Sequence, residues 1–239
     1  AFVYESDGLL VCRDGVIEAV GPAERLRATL PPGLEPLHYP KGIILPGFVD
    51  THVHFAQTEI IGSYGERLLD WLETRAFPAE RQFASRAHAD AVAQRFCDEL
   101  LRNGTTTALV FCAVYPQSVD ALFAEAARRN LRLAAGKVLM DRNAPADLLD
   151  TAQTGYDDSK ALIAKWHGNG RALYAITPRF APTSTPAQLE AAGTLWREHP
   201  DVLMQTHVAE TADEVAWVRR LYPERANYLD VYDHYGLVG

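Results

Sequence analysis

The sequence predicts an α/β fold of consecutive strand–helix units, the opening part of a (β/α)8 barrel, and three observations lead there. First, apolar, β-branched-rich runs at 43–50, 105–114, 131–140, 172–178 and 202–208 alternate with amphipathic stretches of helical spacing. Alternation of that kind builds a parallel sheet covered by helices. Second, neither GxGxxG nor GxxxxGK[ST] follows the first run, so a doubly wound nucleotide-binding sheet has no phosphate loop to rest on. Third, polar groups recur at the C-terminal ends of the runs, at His52, His54, Arg179 and His207, where barrel enzymes place their chemistry. Five such units are visible, and a closed barrel of this type needs eight.

Residues 1–45 stand apart from this pattern. LLVCRDGVIEAVG sets two short apolar runs around Asp14-Gly15, a strong hairpin signal. A lone hairpin is marginal in water, so 1–45 reads as an incomplete part of a small β subdomain. The barrel portion is read as 46–239. Its helices are expected in ASRAHADAVAQRFCDELLRNG, which stops at Asn103-Gly104, and in PQSVDALFAEAARRN. DSKALIAKWHGNG, TPAQLEAAGTLWREH and TADEVAWVRRLYP supply three more. Thr183 to Thr185 and Thr211 offer N-cap hydroxyls to the last two.

Composition narrows the function classes. The chain has 239 residues, 48% hydrophobic and 23% charged, which supports a buried core and argues against disorder. A net charge of -8 argues against a nucleic-acid backbone or an anionic membrane as partner, because both select for Lys and Arg. No run is long enough for a membrane span, and no charged-then-apolar segment opens the chain. The first residue is Ala rather than Met, so the natural start is expected to lie upstream. Cys12, Cys97 and Cys112 are too few and too irregular for a disulfide framework or a metal knuckle. They read as buried free thiols of a reducing, cytoplasmic setting.

The stretch PGFVDTHVHFAQTEIIG carries the chemistry. In an extended strand, residues i and i+2 face the same side, so His52 and His54 present two imidazoles to one point. His207, in MQTHVAE, ends the fifth run where that pair could be met across a barrel mouth. Three imidazoles with an open position suit zinc, with iron(II) as the alternative. Glu210, three residues on, can reach a metal-activated water and move its proton. Each residue also has a plainer reading when taken singly. The histidines could be ordinary polar or hydrogen-bonded groups, and Glu210 a solvated acid at a helix start. His38, His88, His167, His199 and His234 fall in loops or on helices and receive no role.

PGFVDTHVH resembles the first-strand signature of the amidohydrolase superfamily, whose members join a metal-dependent (β/α)8 barrel to a small β-sandwich. Within it, THVHFAQTEIIG, LLDWLETRAFPAE, GKVLMD, ITPRFAP, QTHVAE and LYPERANYLDVYD resemble segments of the guanine deaminase family, in order. The resemblance implies one zinc ion per subunit held by His52, His54 and His207, and Glu210 as the acid-base residue. It implies a base-binding set of Gln57, Arg179, Phe180 and His207, with Trp71 and Leu72 on a loop that closes over the base. For Trp71 and Leu72 a helix-face hydrophobic cluster is an equal alternative. The implied reaction is hydrolytic deamination of guanine to xanthine and ammonia in purine catabolism or salvage, by a cytoplasmic homodimer. The same resemblance sets a further histidine and a metal-binding aspartate beyond Gly239, which makes the chain a fragment, inactive alone. A related enzyme acting on 8-oxoguanine, a pterin or an aminotriazine is the alternative.

Overall fold

The computed structural model describes residues 3–65 and 67–239. By internal packing the chain divides into two compact units, Ala1–Leu45 and Pro46–Gly239.

In the first unit, β1 (Gly8–Arg13) pairs antiparallel with β2 (Val16–Pro22), and a short α1 (Ala23–Arg27) follows. Asp14 and Gly15 connect the strands with φ of 50° and 79°. Two successive positive φ angles match the right-handed twist of a hairpin, and Asp-Gly is a pair that tolerates them. Val16, Ile17 and Val20 remain exposed. So does Cys12, against the expectation of a buried thiol, because a two-stranded ribbon has no second layer to cover it. Cys97 and Cys112 are buried as expected.

The second unit contains β3 (Phe48–His54), α2 (Leu68–Trp71), α3 (Phe77–Arg81), α4 (Arg86–Arg102), β4 (Thr105–Phe111) and α5 (Pro116–Arg128). Then come β5 (Arg132–Gly136), β6 (Val138–Leu139), α6 (Ala152–Trp166), β7 (Leu173–Pro178), α7 (Pro186–Glu198), β8 (Leu203–Met204), α8 (Ala212–Leu221) and α9 (Tyr228–His234). All strand pairs in this unit are parallel. β5 and β6 are one strand interrupted at Lys137, and both pair with β7. Neighbours in the sheet therefore follow chain order: β3, β4, β5/β6, β7, β8. A doubly wound sheet reverses direction at a switch point, whereas a barrel adds strands one way round. The unidirectional order marks an arc of five barrel strands.

Close approach explains one glycine in the arc. A Cβ on Gly136 would stand 1.7 Å from the Ala175 carbonyl oxygen, so only glycine lets β5 and β7 meet there. Outside the sheet, Val92, Phe96, Leu122 and Leu189 of the outer helices pack on Val110, Leu133 and Tyr174. A second cluster lies at the other side, where Leu72 and Phe77 meet Phe111, Val138, Met140 and Phe180. Each of these large side chains contributes roughly 1.5–3 kcal/mol by leaving water.

Several boundaries differ from the sequence expectation. The first barrel strand runs from Phe48 to His54 rather than over 43–50, so both histidines lie within it. Pro46 lacks an N–H for the ladder, and pairing begins where Phe48 donates to the Gly104 carbonyl at 2.8 Å. The helix read from Asp158 begins at Ala152, because Thr151 and Thr154 form a reciprocal capping box. The run 202–208 yields only the two-residue β8. Among the described residues, no helix is long and apolar enough to cross a membrane.

Candidate metal centre and active site

β3 delivers His52 and His54 from the same side of the strand, their ring centroids 5.3 Å apart. Phe111, at the end of the neighbouring β4 and fully buried, is the floor beneath them. Its ring centroid lies 5.1 Å from that of His52, 4.7 Å from His54 and 4.4 Å from His207. His207 arrives without a regular strand. Past Met204 the chain keeps its register through Gln205 N–H, which donates to Ile176 O at 3.0 Å, and His207 N–H, which donates to Arg179 O at 3.1 Å. Gln205 also turns its side-chain amide inward, donating to Val110 O at 2.9 Å and Thr177 Oγ1 at 3.0 Å. Parallel pairing thus continues past Met204 to the isolated bridge between Phe180 and His207, beyond the two-residue β8.

One ligand nitrogen from each of the three histidines falls within 4.8 Å of the others, and His54 Nε2 stands 2.9 Å from His207 Nε2. His207 Nδ1 lies 2.8 Å from Arg179 O, a carbonyl that only accepts, so the proton sits on Nδ1 and Nε2 keeps its lone pair. Burial holds His54 well below the usual histidine range, with Arg179 and the other two histidines adding to it. Burial likewise pushes His207 down to about 4. Three imidazoles aimed at one point are a nitrogen donor set of the kind zinc or iron(II) accepts. These residues fit a metal.

Glu210 follows on a tight turn: Ala209 holds φ of 56°, a left-handed conformation uncommon for alanine. Buried Glu214 pins the turn. Its Oε2 accepts from Glu210 N–H at 2.9 Å and Thr211 N–H at 3.3 Å, while its Oε1 accepts from the Tyr228 hydroxyl at 2.6 Å. Thr211 caps α8 in return by accepting from Glu214 N–H. The Glu210 side chain stays accessible at the cavity rim, yet partial burial and the negative Glu214 raise its carboxyl above the ordinary glutamate value.

Across from the histidines, Gln57 sits on the turn after β3 and Arg179 directly after β7. Arg179, placed in the base-binding set by the sequence resemblance, is already paired. It is 3% exposed and its Nη1 donates to both carboxylate oxygens of Glu80, at 2.8 and 2.6 Å. Its guanidinium also lies 5.3 Å over the Phe77 ring. Glu80 belongs to the FPAE stretch, but nothing in its spacing names its partner, 99 positions away. Trp71 and Leu72 are helical, not loop. α2 passes through a π-helical turn (Leu72–Ala76) into α3, and Trp71 Nε1 donates to Ser63 Oγ at 3.2 Å.

A cavity of about 210 Å³ draws these groups together. The three histidines and Glu210 line one part, Gln57 and Arg179 another, and Leu68, Trp71, Leu72 and Phe180 supply apolar walls. A second cavity of about 400 Å³ shares Leu72 and Phe180 and extends along Trp217 of α8. Every residue singled out in the sequence as a site candidate faces the smaller cavity. His88 and His167, given no role, lie outside its lining, beside Glu59 and Asp201 at 3.6 and 3.3 Å.

Residues 43–239 match the model of the Amidohydrolase family. Over 239 residues the chain is 52% identical to the guanine deaminase of Escherichia coli K12, covering all of this chain and 54% of that protein. Among solved structures, it superposes on the Bradyrhizobium japonicum guanine deaminase with a TM-score of 0.94 at 46% identity, covering 97% of this chain and 50% of that one. It superposes on the C. acetobutylicum guanine deaminase, solved with guanine in its active site, with a TM-score of 0.87 at 30% identity, covering 96% and 54%. The chain thus spans about half the length of the curated relatives it matches.

Proposed function

Because the chain belongs to the amidohydrolase family, we propose that it carries the metal- and base-binding part of an enzyme that hydrolyses guanine to xanthine and ammonia. The observation that carries this reading is the single cavity joining the three histidines and Glu210 to Gln57 and Arg179. Identity of 52% to a guanine deaminase supports the choice of base.

His52, His54 and His207 would hold one zinc ion. When bound, that ion lowers the pKa of a coordinated water toward neutrality and polarises it for attack. Glu210 is suited to hold the proton that water gives up, since its raised carboxyl accepts and releases a proton more evenly near neutrality than an ordinary glutamate. It passes that proton to the purine ring nitrogen beside C2. The proton left on the newly added C2 oxygen then moves to the amino group, the C–N bond breaks, ammonia departs, and the oxygen stays as the 2-carbonyl of xanthine. Arg179 donates to the base's carbonyl oxygen, Gln57 meets its edge, and Phe180, Trp71 and Leu72 keep bulk water from the apolar faces. Adenine lacks the carbonyl, so a buried Arg179 donor would go unpartnered with it. The proposal includes a homodimer in the cytoplasm with a role in purine breakdown or salvage.

The test is ammonia release from guanine by the zinc-loaded full-length protein, beside Arg179→Ala. Release from the wild type, cut by about 100-fold or more in the variant, is expected from the loss of a charged, buried donor. No release from folded, metal-loaded protein would sink the assignment of guanine.

A further inference from the structure

We propose that Glu80 is the positioning residue that fixes the hydrogen-bonding polarity of the base-binding wall, making Gln57 an acceptor beside the donor Arg179. The inference rests on the guanine reading above and adds how that base is told from its amidine analogues.

Glu80 is 1% exposed and sits between the two groups. A carboxylate only accepts, and Gln57 Nε2 stands 3.1 Å from Glu80 Oε1. An amide side chain otherwise turns over freely; opposite a buried carboxylate it must present its NH2. His54 Nδ1 lies farther off, 3.4 Å from the same Nε2, and with Nε2 of His54 given to the metal it carries the ring proton. The Glu80 carboxylate alone therefore sets the orientation of the amide. Gln57 is left with its carbonyl oxygen, which accepts no hydrogen bond from the described residues, for whatever enters the cavity it lines. Arg179 commits Nη1 to Glu80, and its Nε and Nη2 have no partner among the described residues. One carboxylate thus makes an acceptor of Gln57 and holds beside it Arg179, a donor in any case.

That arrangement complements a lactam edge, where a ring N–H stands beside a carbonyl oxygen. Guanine has such an edge at N1 and O6. 2,6-Diaminopurine keeps the reacting 2-amino group but reverses the edge, with an acceptor at N1 and an amino donor at C6. With Glu80 in place, the reversed edge meets acceptor against acceptor and donor against donor.

The experiment compares kcat/KM for guanine and 2,6-diaminopurine in the zinc-loaded full-length protein, in Glu80→Gln and in Glu80→Asp. Glutamine at 80 can donate as well as accept, so Gln57 is released to turn over. The guanine preference is expected to fall by about tenfold or more in Glu80→Gln and to survive in Glu80→Asp, which still only accepts. A purely structural loss would lower both substrates together. An unchanged preference in folded, active Glu80→Gln overturns the inference while leaving guanine deamination standing. Wild-type protein that turns over neither purine overturns both. Should Glu80→Gln fail to fold, Gln57→Met, which keeps the Glu80–Arg179 pair but cannot accept, decides by binding. The wild type should hold hypoxanthine, a lactam without the reacting group, more tightly than adenine. Gln57→Met should lose most of that difference, and retention of it would refute the inference.

Discussion

Phe111 shows how one side chain can serve a site without offering it a donor atom. Its buried ring underlies all three histidines, so it spaces the imidazoles of the proposed metal site as well as filling the core. Phe111→Ala should cost about 3–5 kcal/mol in unfolding free energy, the range for a buried aromatic replaced by a void. Zinc affinity should weaken with it, which titration of the apo-protein against a competing chelator would measure; unchanged affinity would mean the histidines hold their own spacing. The histidine pair was legible in the sequence because a strand's two-residue period is local, and Gln57 and Arg179 were legible through their neighbours in the motif. Phe111 and Glu80 were not. Their meaning lies in contacts across strands or across 99 positions, and a phenylalanine ending an apolar run or a glutamate on a short helix looks ordinary by itself.

Between elements, α4 and α5 are tied by charge as well as by apolar packing. Arg129, which caps the C-terminal end of α5, bonds Asp98 of α4 and, with Arg128, the mostly buried Glu125. Burial pushes the Glu125 carboxyl up, but the hydrogen bonds from Arg128 and Arg129 outweigh it and hold the group below its ordinary 4.5. A carboxyl whose pKa is lowered on folding stabilises the fold above its unfolded value and loses that contribution as pH falls through the folded one. Glu125→Gln should therefore cost about 1 kcal/mol at neutral pH and make stability less steep in pH below 4.5. Denaturant midpoints from pH 3 to 7 would show it, and parallel curves for the two proteins would exclude it. Helices were the best-read elements, since a 3.6-residue period over many positions overrides local noise. Strand ends were read less well. Pairing past Met204 thins to an isolated bridge at His207 and Pro46 delays pairing, and neither event leaves a periodic trace.

At the scale of the molecule, two kinds of surface lack cover. β3 and β8 each pair on one side only among the described residues. Ile43, Ile44, Leu45, Phe48 and Val49 are all more than half exposed. Open strand edges and adjacent apolar side chains recruit other chains, and a net charge of -8 is modest opposition. The 239-residue chain made alone should self-associate above micromolar concentration and bind a hydrophobic dye; light scattering that returns a dye-silent monomer would contradict this. The one-way strand order also has a meaning in time. During synthesis each βα unit can dock on the one made just before it, so the arc grows in the order the chain leaves the ribosome. The imidazoles do not gather in that gradual way. His54 and His207 are 153 positions apart, so a cation meets only a bidentate pair until the fifth strand is laid down. Under the proposed metal site, capture of the ion would report a finished arc, and premature loading would be disfavoured by the topology itself.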